Sequence, residues 1–131
     1  MIDVSELKAS HIDPAGRIAK VGAGLNQLEA VTALGEHDLA ATTGTEGTVG
    51  LSGATLGGGF GFLTRYLGMA CDNLIGVEIV VAAGADGAKV LEVDPWNHAD
   101  LLWALRGAGN KAKYDPHNVF QYEQSIPPAT H

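Results

Sequence analysis

The sequence predicts an α+β fold, in which a mixed sheet is flanked by helices on one side. Residues 74–83 form a run rich in β-branched side chains, which predicts a buried strand. Residues 89–93 alternate polar and apolar side chains, which predicts a second strand that pairs beside the first. Between residues 25 and 34, apolar side chains recur at helical spacing and predict a helix that ends at Gly35. The residues that set this helical spacing are Leu28, Val31, Thr32 and Leu34.

The N-terminal residues predict a β-hairpin. Residues 8–12 and 17–21 flank the sequence Asp-Pro-Ala-Gly at 13–16. Proline at the second position and glycine at the fourth are typical of a tight turn, because proline presets its φ angle and glycine closes the turn without steric cost. We therefore expect two short antiparallel strands here.

A pair of glycines follows this hairpin. Gly22 and Gly24 stand where a dinucleotide-binding fingerprint would begin, between a strand and a helix. The third glycine position of the fingerprint holds Gln27, however, and no second strand ending in an acidic residue follows at the required distance. We interpret Gly22 and Gly24 as a tight strand-to-helix turn.

Further helices are predicted downstream. Residues 48–57 are expected to contain a short helix, after which glycines force an irregular segment. Asn97 is expected to cap a later helix, because Asp100 follows it at capping-box spacing. The apolar face of that helix would consist of Leu101, Leu102 and Leu105. Beyond Gly107 the regular patterns fade, and the prolines of the tail predict an extended, loop-like chain.

Length and charge restrict the class of protein. At 131 residues a single domain is expected. A formal net charge of −7 argues against nucleic acids and anionic membranes as partners, because both are bound largely through Lys and Arg. The sequence shows no signal peptide and no apolar run of transmembrane length, so we expect a cytoplasmic protein.

Neither the histidines nor the cysteine predicts a reactive centre. The five histidines are scattered, with no pair at i, i+4 and no Cys–His spacing that would indicate zinc, so no metal is expected. Cys71 is the single cysteine, which excludes an internal disulfide. It is expected to be an inert, partly buried side chain, since a reactive thiol needs a nearby cation or helix N-terminus.

The most informative segment is the glycine segment, residues 44–61, in which 8 of 18 residues are glycine. Glycine allows another molecule to approach backbone N–H groups closely, so the run favours a ligand laid along the main chain. The alternative is a flexible linker. Apolar residues interleave the glycines, which is unusual for a linker.

Several motifs resemble, in the same order, the flavin domain of the FAD-linked oxidases related to berberine bridge enzyme. They are VGLSGATLGGGFG at 49–61, Arg65, GMACDNL at 68–74, VEIVVAAG at 77–84, DLLWALRGAGN at 100–110, and two tail segments at 111–120 and 124–128. The resemblance implies that residues 1–110 are a partial FAD-binding domain of the PCMH type, equivalent to its second subdomain. Residues 111–131 resemble the C-terminal motif of the same family.

The resemblance also implies a set of cofactor-binding residues. Backbone groups would line the phosphates and the ring edge of FAD at Gly44, Thr45, Gly50, Gly53, Gly58 and Gly59. Thr55 and Asn73 would contribute side chains, Val77 would meet the adenine, and Asn118 would lie near the flavin. Asn73 and Asn118 have an alternative role in turns, bonding to nearby backbone. Valine at Gly58 or Gly59 is expected to abolish FAD uptake with a modest loss of folding.

The sequence departs from the family at positions that affect covalent attachment of FAD and catalytic activity. The family's histidine motif for covalent attachment does not occur here, and Glu46 stands where some members have a second attachment residue, a cysteine. We therefore expect noncovalent FAD. After Asn110 the family continues into a substrate domain that contains the catalytic base, whereas here Lys111 follows directly.

Two functions stay open on these grounds. The first is an FAD-dependent oxidase acting on an unknown small molecule, completed by a partner chain or by a domain-swapped dimer. The second is a non-catalytic flavin-binding remnant. Separately, an exposed apolar face is expected to favour a homo-oligomer.

Overall fold

The computed structural model describes residues 2–83 and 87–108. These residues form two compact units divided after Asn73, and each is described by itself. The first contains strands β1 (Ser10–Asp13) and β2 (Ile18–Val21) and helices α1 (Gln27–Gly35), α2 (Leu51–Leu56) and α3 (Thr64–Leu67). The second contains β3 (Val77–Ala82), β4 (Ala88–Val93) and α4 (Ala99–Trp103). The combination of strands and helices confirms the α+β class.

The hairpin predicted near the N-terminus is confirmed. Strands β1 and β2 pair antiparallel, with Ser10 opposite Val21 and Asp13 opposite Ile18. The Asp13 carboxylate accepts hydrogen bonds from the Ala15 and Gly16 N–H groups, both at 3.0 Å, which closes the turn. A short polar side chain that bonds to backbone two and three residues ahead favours this geometry.

The turn at Gly22 and Gly24 is also confirmed, and the structure supplies its reason. The Gly22 N–H donates to the Ala9 carbonyl at 2.7 Å, and the Gly24 N–H donates to the Leu7 carbonyl at 2.9 Å. A Cβ at Gly22 would collide with the Leu7 carbonyl, and one at Gly24 with the Val4 carbonyl. The close approach of the N-terminal segment therefore excludes any side chain at these two positions.

Helix α1 ends at Gly35 as predicted, but it buries a different face. Leu25, Gln27 and Ala30 are buried, whereas Leu28 and Val31 are exposed. The helix begins with a capping box, in which Asn26 accepts from the Glu29 N–H at 2.8 Å and Glu29 accepts from the Asn26 N–H at 2.9 Å. Such a box satisfies two backbone donors at the helix start.

Strands β3 and β4 pair with each other as predicted, and the structure shows that the pairing is antiparallel. Val77 lies opposite Val93, and Val80 lies opposite Val90. The prediction that β3 is buried is wrong: its residues alternate between half-buried and exposed, and Val80 is 67% exposed. A β-branched run does not by itself distinguish a strand covered on both faces from one covered on one face.

The described strands form two separate two-stranded sheets, β1–β2 and β3–β4, where the sequence predicts one mixed sheet. Each sheet pairs strands that are neighbours in sequence, and this local pairing is what the turn signals encode. The core of the first unit includes Leu25, Ala30, Ala70 and Cys71, and that of the second includes Val93 and Leu102.

Asn97 does not cap helix α4, contrary to the prediction. Its N–H and its side-chain amide donate to the Asp94 carboxylate at 2.7 and 2.9 Å. His98 takes the cap position instead, in a left-handed conformation with φ 60° and with no side-chain bond to the helix. These bonds hold Asn97 in the turn that precedes the helix. The tail at 111–131 lies outside the described residues.

Candidate functional site

The glycine segment lies in the first unit and folds against the start of α1. The Gln27 N–H donates to the Val49 carbonyl at 3.0 Å, and the Leu28 N–H donates to the Gly47 carbonyl at 3.0 Å. The first N–H groups of a helix have no partner within it, and here the glycine segment supplies their acceptors. The Leu51 N–H in turn donates to the Leu25 carbonyl at 2.9 Å, which anchors the start of α2.

Gly58 and Gly59 are glycine because the chain's own packing and backbone require it. Their φ angles are 111° and 71°, a region that other L-residues rarely adopt. A Cβ at Gly58 would lie 2.8 Å from the Met69 methyl group, and one at Gly59 would lie 2.5 Å from the Ala70 Cβ. The expectation that valine there costs only modest folding is therefore wrong, because a side chain at either positive φ angle is strained and at Gly59 it would also clash with Ala70.

Gly44 and Gly61 are also restricted by their own chain. The Gly44 N–H donates to the Gln27 side-chain oxygen, and a Cβ at Gly44 would lie 2.9 Å from the Gln27 amide nitrogen. Gly61 is buried, and a Cβ there would overlap the Thr43 carbonyl. These glycines shape the segment.

Gly50 and Gly53, unlike these glycines, are not required by the packing of the chain. A Cβ at either position would meet no atom of the described chain within 4 Å. Gly50 has φ −60° and ψ 125°, which any residue adopts, and Gly53 lies within helix α2. Because glycine weakens a helix by roughly 0.5–1 kcal/mol relative to alanine, its presence at Gly53 has no explanation in the folding of the described residues.

The N–H groups of the predicted site residues fall into two sets. Those of Gly44 and Gly58 are already used, by Gln27 and by the Thr55 carbonyl respectively. In the described ranges, no acceptor within the chain is found for the N–H groups of Thr45, Gly50, Gly53 and Gly59. A bound molecule could therefore accept hydrogen bonds from this second set without displacing a bond within the chain.

The predicted side-chain ligands occupy different settings. Thr55 is half-buried on α2. The Asn73 amide donates to the Leu67 and Met69 carbonyls at 3.0 and 2.9 Å, as a turn residue does. Val77 is the first residue of β3 and belongs to the second unit. Asn118 lies outside the described residues.

An apolar cavity of about 230 Å³ adjoins the glycine segment in the first unit. It lies between the second half of α1, the chain that follows it, and the loop after the glycines. Its lining residues are Val31, Leu34, Gly35, Leu39, Ala40, Ala41, Thr43, Gly44, Phe62 and Leu63. Phe62 is 88% exposed at its rim.

Sequence reasoning did not identify two buried polar side chains that organise this region. Gln27 is 3% exposed and reaches Gly44, while the Thr42 hydroxyl donates to the Gly68 carbonyl at 2.8 Å. The departure from the fingerprint at Gln27 was the only available signal. Buried polar groups are usually hydrogen-bonded, but sequence alone does not show which polar residues are buried.

The electrostatics of the glycine segment are simple. Glu46 is its only charged residue. The backbone N–H and hydroxyl of Thr48 donate to the Glu46 carboxylate and hold its pKa below the ordinary value of 4.5. In the portion of the chain that the structure describes, no group of three or more potential metal ligands occurs, and none of the helices could cross a membrane.

The sequence matches two known protein families and several known proteins. Residues 1–85 match the FAD binding domain family, and residues 109–127 match the "Berberine and berberine like" family. The uncharacterised FAD-linked oxidoreductase YgaK of Bacillus subtilis is 40% identical over 109 residues, which cover 83% of this chain and 24% of that protein. (R)-6-hydroxynicotine oxidase of Paenarthrobacter nicotinovorans is 38% identical over 109 residues, which cover 83% of this chain and 23% of that protein.

A solved structure agrees with these sequence matches. The crystal structure of 6-hydroxy-D-nicotine oxidase from Arthrobacter nicotinovorans superposes with a TM-score of 0.72 at 39% identity. The superposition covers 79% of this chain and 22% of that one. This chain thus spans about a quarter of the length of the curated relatives that it matches. It belongs to the FAD-binding-domain family of berberine-bridge-enzyme-like, FAD-linked oxidoreductases.

Proposed function

We propose that this chain binds FAD noncovalently along the glycine segment and forms part of an FAD-dependent oxidase. The proposal rests on the surroundings, backbone angles and N–H groups of Gly50 and Gly53. Neither position needs glycine for space or for backbone conformation, and neither N–H has an acceptor among the described residues. A ligand lying against the main chain accounts for both features, because it occupies the space of a side chain and accepts from the N–H groups.

The donor set of the segment suits FAD. The pyrophosphate and the pyrimidine edge of the flavin ring are rich in hydrogen-bond acceptors, and the segment offers the N–H groups of Thr45, Gly50, Gly53 and Gly59. It contains no Lys or Arg. Backbone N–H groups would therefore hold the phosphates in place of a basic patch.

Bound FAD would supply the capacity to accept a hydride from a substrate C–H bond, with molecular oxygen as the reoxidant. The part of the chain described by the structure would bind and orient the cofactor in this reaction. Thr55 and Asn73 would add side-chain contacts, as the family resemblance implies. The substrate would be a small molecule.

A second candidate is flavin binding without catalysis. The one ionisable group in the glycine segment is the Glu46 carboxylate, and its lowered pKa makes it a weak base. A general base works best when its pKa lies near the working pH. The segment itself therefore supplies no such base, and a purely flavin-binding chain is consistent with that.

The visible spectrum of the purified chain tests both parts of the proposal. Incubation with FAD followed by desalting is expected to give a yellow protein. Acid precipitation should then leave the colour in the supernatant, because no covalent bond retains the flavin. A colourless protein that takes up no FAD at concentrations of tens of micromolar would refute flavin binding. A yellow pellet would refute noncovalent attachment.

The same sample separates an oxidase from a binding protein. We expect anaerobic photoreduction to bleach the bound flavin, and admission of air to restore its colour within seconds to minutes. Free FAD treated in the same way is the control. Colour that returns no faster than with free FAD would favour the purely binding role.

A further inference from the structure

Gln27 is a polar side chain in an apolar setting. It is the first residue of α1, it is 3% exposed, and the neighbouring core residues are Leu25 and Ala30. Burying an amide without hydrogen bonds costs several kcal/mol, so a buried glutamine normally has partners that fix its position. Both ends of this side-chain amide are bonded here, and both partners lie in the glycine segment.

The two bonds bracket a residue of the predicted flavin site. The Gln27 side-chain oxygen accepts from the Gly44 N–H, and its nitrogen donates to the Glu46 carbonyl at 3.3 Å. Thr45 lies between these two anchors, and its N–H has no acceptor in the described part of the chain. The Gln27 backbone N–H also donates to the Val49 carbonyl, one residue before Gly50. Gln27 thus holds the glycine segment at two places, immediately before the open N–H groups of Thr45 and Gly50.

We propose that Gln27 is a positioning residue for the cofactor, which holds residues 44–46 so that the Thr45 and Gly50 N–H groups are preorganised to bind FAD. This inference rests on the proposed function. Its physical basis is that a segment already ordered in the free protein loses less conformational entropy when the ligand binds. Gly44 contributes to this positioning, because only a residue without Cβ lets the Gln27 side-chain amide approach its backbone so closely.

The test compares Gln27→Met with Ala30→Gly in the 131-residue chain. Methionine preserves the length and volume of the side chain and removes both hydrogen bonds. Ala30→Gly weakens the same helix near the same site but leaves the bonds to Gly44 and Glu46 intact. We expect Gln27→Met to weaken FAD binding at least tenfold, and Ala30→Gly to leave the Kd within about twofold of the original. The visible circular dichroism of flavin at saturating FAD should change in Gln27→Met alone.

Hydrogen–deuterium exchange of the FAD-free protein provides a readout that does not depend on the cofactor. Gln27→Met should raise exchange in residues 43–47 more than tenfold, with little change in residues 64–73. If the variant does not fold, Gln27→Asn takes its place, because its amide is one methylene too short to reach both partners.

The possible failures are distinguishable. Unchanged exchange at 43–47, or an unchanged Kd in a folded Gln27 variant, would overturn the positioning role while leaving FAD binding by the original chain intact. If the original chain takes up no FAD, the proposed function fails. The positioning role then fails with it, even if hydrogen exchange shows that the Gln27 bonds order residues 43–47.

Discussion

At the scale of single residues, the glycines of the glycine segment have two different origins. Gly58 and Gly59 adopt positive φ angles and contact Met69 and Ala70 closely, so the fold itself selects them. Gly50 and Gly53 have ordinary backbone angles and open space. Only Gly50 and Gly53 therefore indicate a ligand. Substitutions at these two positions can change FAD affinity without disrupting the fold.

Gly53→Ala is expected to stabilise the FAD-free protein while it weakens FAD binding. Alanine should raise the free energy of unfolding by roughly 0.5–1 kcal/mol, because Gly53 is exposed on α2 and alanine restricts the unfolded chain. Gly53→Leu should go further and reduce FAD affinity at least tenfold. Urea unfolding measures the first effect, and quenching of flavin fluorescence measures the second.

Gly35 offers a matched control for this pair of variants. It is the last residue of α1, and a Cβ placed on it would likewise meet no atom within 4 Å. Gly35→Ala should leave the Kd for FAD unchanged. Equal affinities for the original chain and Gly53→Leu would remove α2 from the cofactor site.

Glu29 makes stability depend on pH in the acid range. The Lys8 ammonium, 2.6 Å from the Glu29 carboxylate, and the Asn26 N–H hold the pKa of this carboxyl below its ordinary 4.5. Because the folded form binds the proton more weakly than the unfolded chain, the stabilisation is complete above pH 4.5 and is lost as the pH falls through the lowered pKa.

Glu29→Gln removes this dependence and keeps a side chain that can close the capping box. We expect its melting temperature to fall less steeply than that of the original chain between about pH 5 and pH 3, and thermal melts followed by circular dichroism can check this. Glu6→Gln is the control, because Glu6 is an exposed glutamate in the same unit. Identical slopes for the original chain and Glu29→Gln would contradict the assignment.

At the scale of elements, the sequence was informative where local chemistry decides the structure. The turn at 13–16, the end of α1 at Gly35 and the antiparallel partner of β3 all follow from short-range patterns. The buried face of α1 does not, because the hydrogen bonds of Gln27 hold that side of the helix against the glycine segment. Asn97 does not cap α4: its N–H groups donate to Asp94, three residues earlier, and His98 takes the cap position.

The candidate site was predictable to a similar extent. Glycine density located the segment, but only the folded structure distinguishes an N–H group bonded to Gln27 or Thr55 from one that is open. The role of Gln27 depends on burial, and burial is a property of the assembled fold. The resemblance to flavin oxidases indicated the ligand class without showing which glycines the chain needs for itself.

At the scale of the whole molecule, the first unit leaves large apolar side chains exposed. Phe62 and Tyr66 are 88% and 87% exposed, and both follow the glycine segment closely in sequence. Exposed apolar side chains of this size favour association. We therefore predict that the isolated chain self-associates, with a molar mass by light scattering that rises with concentration.

The double variant Phe62→Gln, Tyr66→Gln should lower the molar mass toward that of the monomer. Ile2→Gln is the control, since Ile2 is equally exposed but lies at the N-terminus, and it should have no effect. A molar mass of the original chain that stays at 13.5 kDa at every concentration would refute the prediction.

The carbonyl groups of Gly47 and Val49 have a consequence for how this protein can evolve. They accept from the first turn of α1, while neighbouring peptides present open N–H groups. The carbonyl groups of this stretch of main chain thus accept hydrogen bonds from α1, while its open N–H groups can donate to a ligand. Insertions or deletions there would misalign both at once, so this loop should keep its length across related proteins even where its side chains vary.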